Sequence, residues 1–140
     1  MNIGFHGSRT LFDERVEIII LEEIKKHEPE YVVTHGEPGG VCEVVRKVCK
    51  KHAIPLILHH LNFKKLRGAF EWRSKAVIND SDWSVLIWDG ISKGTTNELK
   101  LIQKANKPYV LHELEIPKHT KSIGFDDDWG GIDSLEDIKL

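Results

Sequence analysis

The stretch "WSVLIWDGISKGTTNELK" (83–100) runs from a strand-like apolar segment into a polar segment of helical character. Residues 83–89 are apolar on both faces, which predicts a strand at the centre of a parallel sheet. The residues that follow carry two glycines, several hydroxyl side chains and Glu98, and they predict a turn leading into a helix over 95–106. A simple connector would need one glycine and a cap. We therefore expect this loop to present backbone N–H groups, and one carboxylate, to a ligand.

Outward from this stretch, short apolar runs alternate with helical patterns. The predicted strands span 2–6, 30–35, 55–60, 83–89 and 108–113. The predicted helices span 11–27, 41–52, 66–80 and 95–106. Strands that alternate with helices favour right-handed crossovers and a parallel sheet covered on both faces. The sequence thus predicts an α/β fold: a Rossmann-like three-layer sandwich whose five-stranded parallel sheet has the order 3-2-1-4-5.

Length and charge limit the organisation of the chain and its partners. The 140 residues suffice for one domain. We predict a Rossmann-like domain over 1–115. The periodic pattern of apolar residues fades after it, and we predict an acidic C-terminal arm or tail over 116–140. The 20 basic and 22 acidic residues give a net charge of −2, so no overall field favours nucleic acid as a partner. Without a signal-peptide pattern or a run of about 18 apolar residues, we expect a cytoplasmic protein and no membrane partner.

Three glycine-bearing loops are predicted to meet at one edge of the sheet. They are "GSRT" (7–10), "GEPGG" (36–40) and "GISKGTT" (90–96), and each ends where a helix begins. In an open parallel sheet, ligands lie beyond the carboxyl ends of the strands where the strand order reverses, here between strands one and four. The helix N-termini at that place suit a phosphate. Each loop alone is most simply a turn with a cap, but the convergence of three favours a binding crevice. The predicted ligand-binding residues around these loops are Gly7, Ser8, Arg9, Gly36, Gly39, Gly40, Asp89, Gly90, Ser92, Lys93, Gly94, Thr95 and Thr96.

Several motifs carry a resemblance to a known family. "GFHGSRT", "VVTHGEPGG", "GAFEWRSKAV" and "VLIWDGISKGTTNEL" occur in this order, and "ANKPYVL" follows the last of them. Over residues 1–112 they resemble the SLOG superfamily of Rossmann-like nucleotide-binding domains, above all its small single-domain bacterial and phage members. The resemblance implies a nucleotide or an ADP-ribose- or NAD-derived ligand, held at the C-terminal edge of the sheet by a protein that senses or sequesters it. It also implies a homodimer or a higher homo-oligomer. No cofactor is expected.

An enzymatic alternative follows from the same resemblance. Lonely Guy phosphoribohydrolases carry an arginine–lysine pair before strand four and a glycine-threonine-x-x-glutamate loop after it. This chain has Arg73 and Lys75, and then Gly94 to Glu98. The alternative is therefore an N-glycoside hydrolase or transferase that acts on nucleoside monophosphates through Glu98 and Arg73. A carboxylate beside C1′ would stabilise or attack an oxocarbenium-like ribose. Arg73 would hold the phosphate or polarise the leaving base. Both Glu98 and Arg73 are also predicted ligand-binding residues.

Simpler interpretations of these residues stay open. The helix dipole and capping favour a glutamate such as Glu98 near the start of any helix, and Arg73 also suits the exposed face of an amphipathic helix. A third hypothesis is an interaction domain that has kept the fold and lost the pocket.

Histidines also cluster at predicted strand ends. His6, His35, His59, His60 and His112 lie on the same edge of the sheet as the glycine loops. A metal site needs three or four ligands that converge at about 2.1 Å, and no HxH or HExxH spacing imposes that here. We therefore expect these histidines to bond to loops or to a ligand phosphate, and we expect no metal site.

Overall fold

The computed structural model describes residues 1–61 and 68–117. Within them, strands and helices alternate along the chain. The elements are β1 (Asn2–Gly7), α1 (Glu14–His27), β2 (Tyr31–His35), α2 (Gly40–Lys51), β3 (Leu56–His59), α3 (Ala69–Asp80), β4 (Trp83–Trp88), α4 (Lys93–Lys104) and β5 (Tyr109–Glu113). The strands form one sheet in the order β3-β2-β1-β4-β5, and every neighbouring pair is parallel. The predicted fold class and strand order are confirmed.

Two apolar layers on opposite faces of the sheet make up the core. Alternate strand residues such as Phe5 and Ile87 are fully buried in one cluster with Val16 of α1 and Val45 of α2. Leu86, next to Ile87 along β4, instead packs in a second cluster with residues of α3 and α4. Because successive strand residues point to opposite faces, this alternation gives the three-layer sandwich, with β1 and β4 at its centre.

The helix boundaries differ from the predicted ones where loops border the sheet edge. Helix α1 begins at Glu14 rather than at residue 11, although Leu11 is fully buried in the core. Leu11 reaches the core from the loop, where its N–H donates to the Ser8 carbonyl at 3.3 Å. Helix α4 begins at Lys93, two residues before the predicted start.

Parts of the predicted organisation lie outside the described residues. They are the first two residues of the predicted helix 66–80, and residues 118–140 of the predicted arm or tail. Across 1–61 and 68–117, no helix combines the length and the apolar character needed to cross a membrane.

Candidate functional site

A crevice of about 1210 Å³ opens at the carboxyl edge of the sheet, beside the ends of β1 and β4. The β1–α1 loop, the β4–α4 loop, α3 and the first turns of α4 contribute its walls. The predicted site residues that line it are Gly7, Ser8, Arg9, Arg73, Asp89, Ser92, Lys93, Gly94, Thr95 and Glu98. The structure thus brings together residues from three segments of the chain at the point where the strand order reverses.

The other predicted site residues do not line the crevice but shape the loops around it. A Cβ on Gly36 would lie 2.3 Å from the His60 ring, so this loop packs closely against the end of β3. Gly39, Gly40 and Gly90 have positive φ angles of 77°, 65° and 84°. Thr96 donates its hydroxyl to the Ser92 carbonyl at 3.1 Å. Their roles in the structure are conformational.

Asp89 holds two of the crevice loops together. One carboxylate oxygen accepts the backbone N–H groups of Ile91 and Ser92 at 2.8 and 2.7 Å. The other accepts the hydroxyls of Thr10 and Ser92 at 2.6 and 2.7 Å. Burial raises the pKa of Asp89, but these hydrogen bonds outweigh burial and lower the pKa below its ordinary value. Asp89 therefore acts as an ionised anchor that ties the β1–α1 loop to the start of α4.

The N-terminus of α4 presents its backbone to the crevice. Its N-cap, Ser92, makes no side-chain cap hydrogen bond, so the first-turn N–H groups have no such partner. Gly94 lines the crevice, and a Cβ on it would meet no atom within 4 Å. The hydroxyls of Ser8 and Thr95 lie beside it, 3.4 Å apart. This turn can therefore bind an anion through backbone amides, hydroxyl donors and the positive end of the helix dipole.

A second part of the crevice pairs two arginines through one glutamate. Glu37 Oε2 accepts hydrogen bonds from Arg9 Nη2 at 3.1 Å and from Arg73 Nη2 at 3.0 Å. Arg73 is buried, its Nε has no hydrogen-bond partner in the described part of the chain, and its guanidinium lies 5.6 Å from the centre of the Phe70 ring. Arg73 is thus a wall residue of the crevice and not an exposed residue of α3.

Glu98 lies at the side of the crevice against two histidines. Its Oε2 contacts His6 Nδ1 and lies 2.7 Å from His35 Nε2, and the two nitrogens are 3.1 Å apart. All three residues are buried. Burial raises the pKa of Glu98, but the charges and hydrogen bonds of His35 and His6 outweigh burial and hold the pKa well below its ordinary value. The two histidines therefore favour the ionised form of Glu98.

This lowered pKa predicts a stability change in acid. A carboxyl group whose pKa is lower in the folded protein stabilises the fold above its unfolded-state pKa, here 4.5, and the stabilisation is lost as the pH falls below that value. We expect the free energy of unfolding of the wild type to fall below pH 4.5, and the Glu98→Gln variant to show a shallower fall. Denaturant titrations at several pH values measure both. If the exposed-site control Glu30→Gln flattens the profile as much as Glu98→Gln does, the effect does not come from Glu98.

Sequence reasoning overlooked several residues of the crevice. Glu37 lies between Gly36 and Pro38 in the glycine-bearing loop 36–40, and an acidic residue in such a loop is the signal that could have indicated its role. Phe70 and Ile91, 43% and 73% exposed, give the crevice an apolar rim. Their periodicity carries no signal, because neither side chain belongs to the core.

Comparisons with models of protein families, with curated proteins and with solved structures gave no match to this chain. The Rossmann-like fold is shown by the strand order and the parallel pairing, whereas the SLOG resemblance rests on the sequence motifs alone.

Proposed function

We propose that the crevice binds a nucleotide or an ADP-ribose- or NAD-derived ligand, and that the protein senses or sequesters this ligand. The phosphate would lie on the first turn of α4, against the amides and the hydroxyls near Gly94. The sugar and base would extend toward Glu37 and Phe70. The SLOG resemblance points to the same ligand class.

Gly94 is the observation that carries this proposal. Glycine at this place weakens a helix by about 0.5–1 kcal/mol relative to alanine. Neither a positive φ nor a packed neighbour requires it, because a Cβ would enter open space. An occupant that approaches the bare backbone closely explains why this position has no side chain.

The mixture of groups along the crevice fits a nucleotide better than a simple anion. Lys93 and the α4 amides suit a phosphate, whereas the Glu37 carboxylate suits ribose hydroxyls, which need acceptors. The formally charged lining residues balance: Arg9, Arg73, Lys93 and Lys100 against Glu37, Glu71, Asp89 and Glu98. The apolar rim at Phe70 and Ile91 offers a surface to a base. A ligand that carries phosphate, sugar hydroxyls and a flat base matches these groups.

A ligand panel tests the proposal directly. NAD, ADP-ribose, cyclic ADP-ribose isomers and nucleoside monophosphates are added separately, and the melting temperature is measured. A ligand at about 100 times its dissociation constant should add about 2.7 kcal/mol to the free energy of unfolding. If no member of the panel raises the melting temperature, the proposal fails.

The Gly94→Ala variant separates the loss of ligand affinity from the gain in the free energy of unfolding. We expect the free energy of unfolding to rise by about 0.5–1 kcal/mol, while the affinity for the stabilising ligand falls at least about tenfold, because the added methyl group enters the crevice. The matched control is Gly68→Ala, which also adds a methyl group to open space but lies outside the crevice. Equal ligand affinity of both variants would contradict a phosphate lying on Gly94.

A second candidate function is an N-glycoside hydrolase or transferase acting on nucleoside monophosphates through Glu98 and Arg73. The buried carboxylate of Glu98 in the crevice wall favours it, since such a group could stabilise an oxocarbenium-like ribose. Incubation with nucleoside monophosphates or deoxynucleosides, followed by chromatography for free base, distinguishes turnover from binding alone. Turnover that persists in Glu98→Gln would exclude this residue from the mechanism.

The assembly and the location of the protein stay predictions. Sedimentation of the full chain tests the homodimer or higher homo-oligomer, and fractionation of the cells that make it tests the cytoplasmic location.

A further inference from the structure

Three potential metal-ligand atoms converge beneath the crevice: His6 Nδ1, His35 Nε2 and Glu98 Oε2. They come from the ends of β1 and β2 and from the second turn of α4. His6 and His35 are 0% and 2% exposed. The imidazole rings meet edge to face, with centroids 5.1 Å apart and an interplanar angle of 67°. No two of these residues are neighbours in the sequence, so the fold alone creates the cluster.

Protons cannot satisfy all three contacts of this triangle. A neutral imidazole nitrogen either donates or accepts a hydrogen bond, and it cannot do both. If both near nitrogens donate to Glu98, two N–H groups face each other across 3.1 Å. If His35 donates to His6 instead, a nitrogen lone pair of His6 faces the Glu98 carboxylate. With Glu98 ionised, one of the three short contacts is therefore unfavourable when only protons join these atoms.

A cation bound by all three atoms removes this conflict, because each atom can direct a lone pair at it. The far nitrogens, His6 Nε2 and His35 Nδ1, are buried without a hydrogen-bond partner in the described residues. No other described group therefore fixes which nitrogen carries the ring proton, and the near nitrogens can present lone pairs to a metal.

We propose that His6, His35 and Glu98 form a binding site for a divalent transition-metal ion, with Zn²⁺ as the reference ion. Two histidines and one carboxylate are a known ligand set for zinc sites that keep a position open, and also for non-haem iron. Metal–ligand bonds of about 2.0–2.2 Å at tetrahedral angles place the ligand atoms of such sites about 3.3–3.6 Å apart. The His35–Glu98 and His6–His35 distances of 2.7 and 3.1 Å, and the closer contact between His6 and Glu98, are shorter than this range, so the three side chains must move apart by several tenths of an ångström when the ion binds.

The cluster borders the crevice, since His35 and Glu98 both line it. The proposal replaces the expectation of no metal site, because the contacts of Glu98 with His6 and His35 arise only in the fold. It does not depend on the proposed function, because metal binding is measured in the absence of any nucleotide.

Zinc binding to the full chain tests the proposal. Protein without a histidine tag is stripped with a chelator and titrated with Zn²⁺ against a chromophoric competitor. We expect one Zn²⁺ per chain in the wild type and at least about 100-fold weaker binding in Glu98→Gln and His35→Gln, since loss of a ligand costs no less than loss of a supporting contact. Both variants keep the side-chain length and a polar end group at the cluster. Titration of the wild type with Co²⁺ gives an independent readout, because coordination by the cluster produces visible absorption bands.

The matched control is His59→Gln. His59 Nε2 lies 2.5 Å from Asp80 Oδ2, so this pair repeats the histidine–carboxylate contact, and no third ligand joins it among residues 1–61 and 68–117. We expect His59→Gln to bind Zn²⁺ as tightly as the wild type. The proposal is overturned if the wild type binds Zn²⁺ no more tightly than Glu98→Gln does, if His59→Gln alone loses the binding, or if Co²⁺ gives the wild type no visible bands.

Discussion

Replacing Gly40 with alanine is expected to lower the free energy of unfolding by about 3 kcal/mol or more. Gly40 has a φ of 65°, and a Cβ there would lie 2.3 Å from Arg9 Cα and 2.7 Å from the Ser8 carbonyl oxygen. These are backbone atoms, so rotation of a side chain cannot relieve the overlap. The β1–α1 loop must move instead, and it carries crevice residues with it. Denaturant unfolding measures the loss.

The neighbouring glycine provides the control for this substitution. Gly39 also has a positive φ, 77°, but a Cβ on it would meet no atom within 4 Å. Gly39→Ala therefore carries the conformational strain alone, about 1–3 kcal/mol, because a φ of 77° with a ψ of 169° is essentially restricted to glycine. If Gly39→Ala and Gly40→Ala lose the same stability, the close packing of α2 on the β1–α1 loop contributes nothing.

Replacing Glu37 with glutamine is expected to cost about 3 kcal/mol, because it leaves two arginines facing each other in a poorly hydrated place. The side chains of Glu37 and Arg73 are only 12% and 6% exposed, and that of Arg9 is 15% exposed. Glutamine keeps the shape and one oxygen acceptor but removes the charge. The matched control is Glu43→Gln, which breaks the exposed pair with Lys47 at 3.7 Å and should change the stability by less than about 1 kcal/mol.

An added anion should then restore part of the stability that Glu37→Gln loses. Pyrophosphate can supply the negative charge that Arg9 and Arg73 have lost, so it should raise the melting temperature of this variant more than that of the wild type. Glu43→Gln should respond to pyrophosphate as the wild type does. An equal response of Glu37→Gln and the wild type would mean that the two arginines are not accessible to a ligand.

The strand order could be predicted from the sequence because burial on both faces leaves a strong pattern. Residues 85–88 are apolar without interruption, and the four inner residues of β4 are buried. The start of α1 could not be predicted in the same way. Leu11 extends the helical periodicity only because it reaches the core from the loop, and periodicity reports burial rather than backbone conformation.

The glycine loops of the crevice were also predictable, but the contacts between their charged residues were not. Loop composition indicated Gly94 and Thr95, which line the crevice. The contact between His6 and Glu98 spans 92 residues, and that between Glu37 and Arg73 spans 36. Such pairs depend on how side chains from separate elements meet, and one sequence has no periodic signal for that.

The central claim is that a sugar-phosphate lies on the first turn of α4, and backbone amide chemical shifts test it most directly. A ¹⁵N-labelled full chain is titrated with the panel ligand that stabilises it most. We predict that the amides of Lys93, Gly94 and Thr95 show the largest shifts and saturate together at one ligand per chain. Saturating shifts that leave these three amides unchanged, or no saturating shifts with any ligand of the panel, would contradict the account.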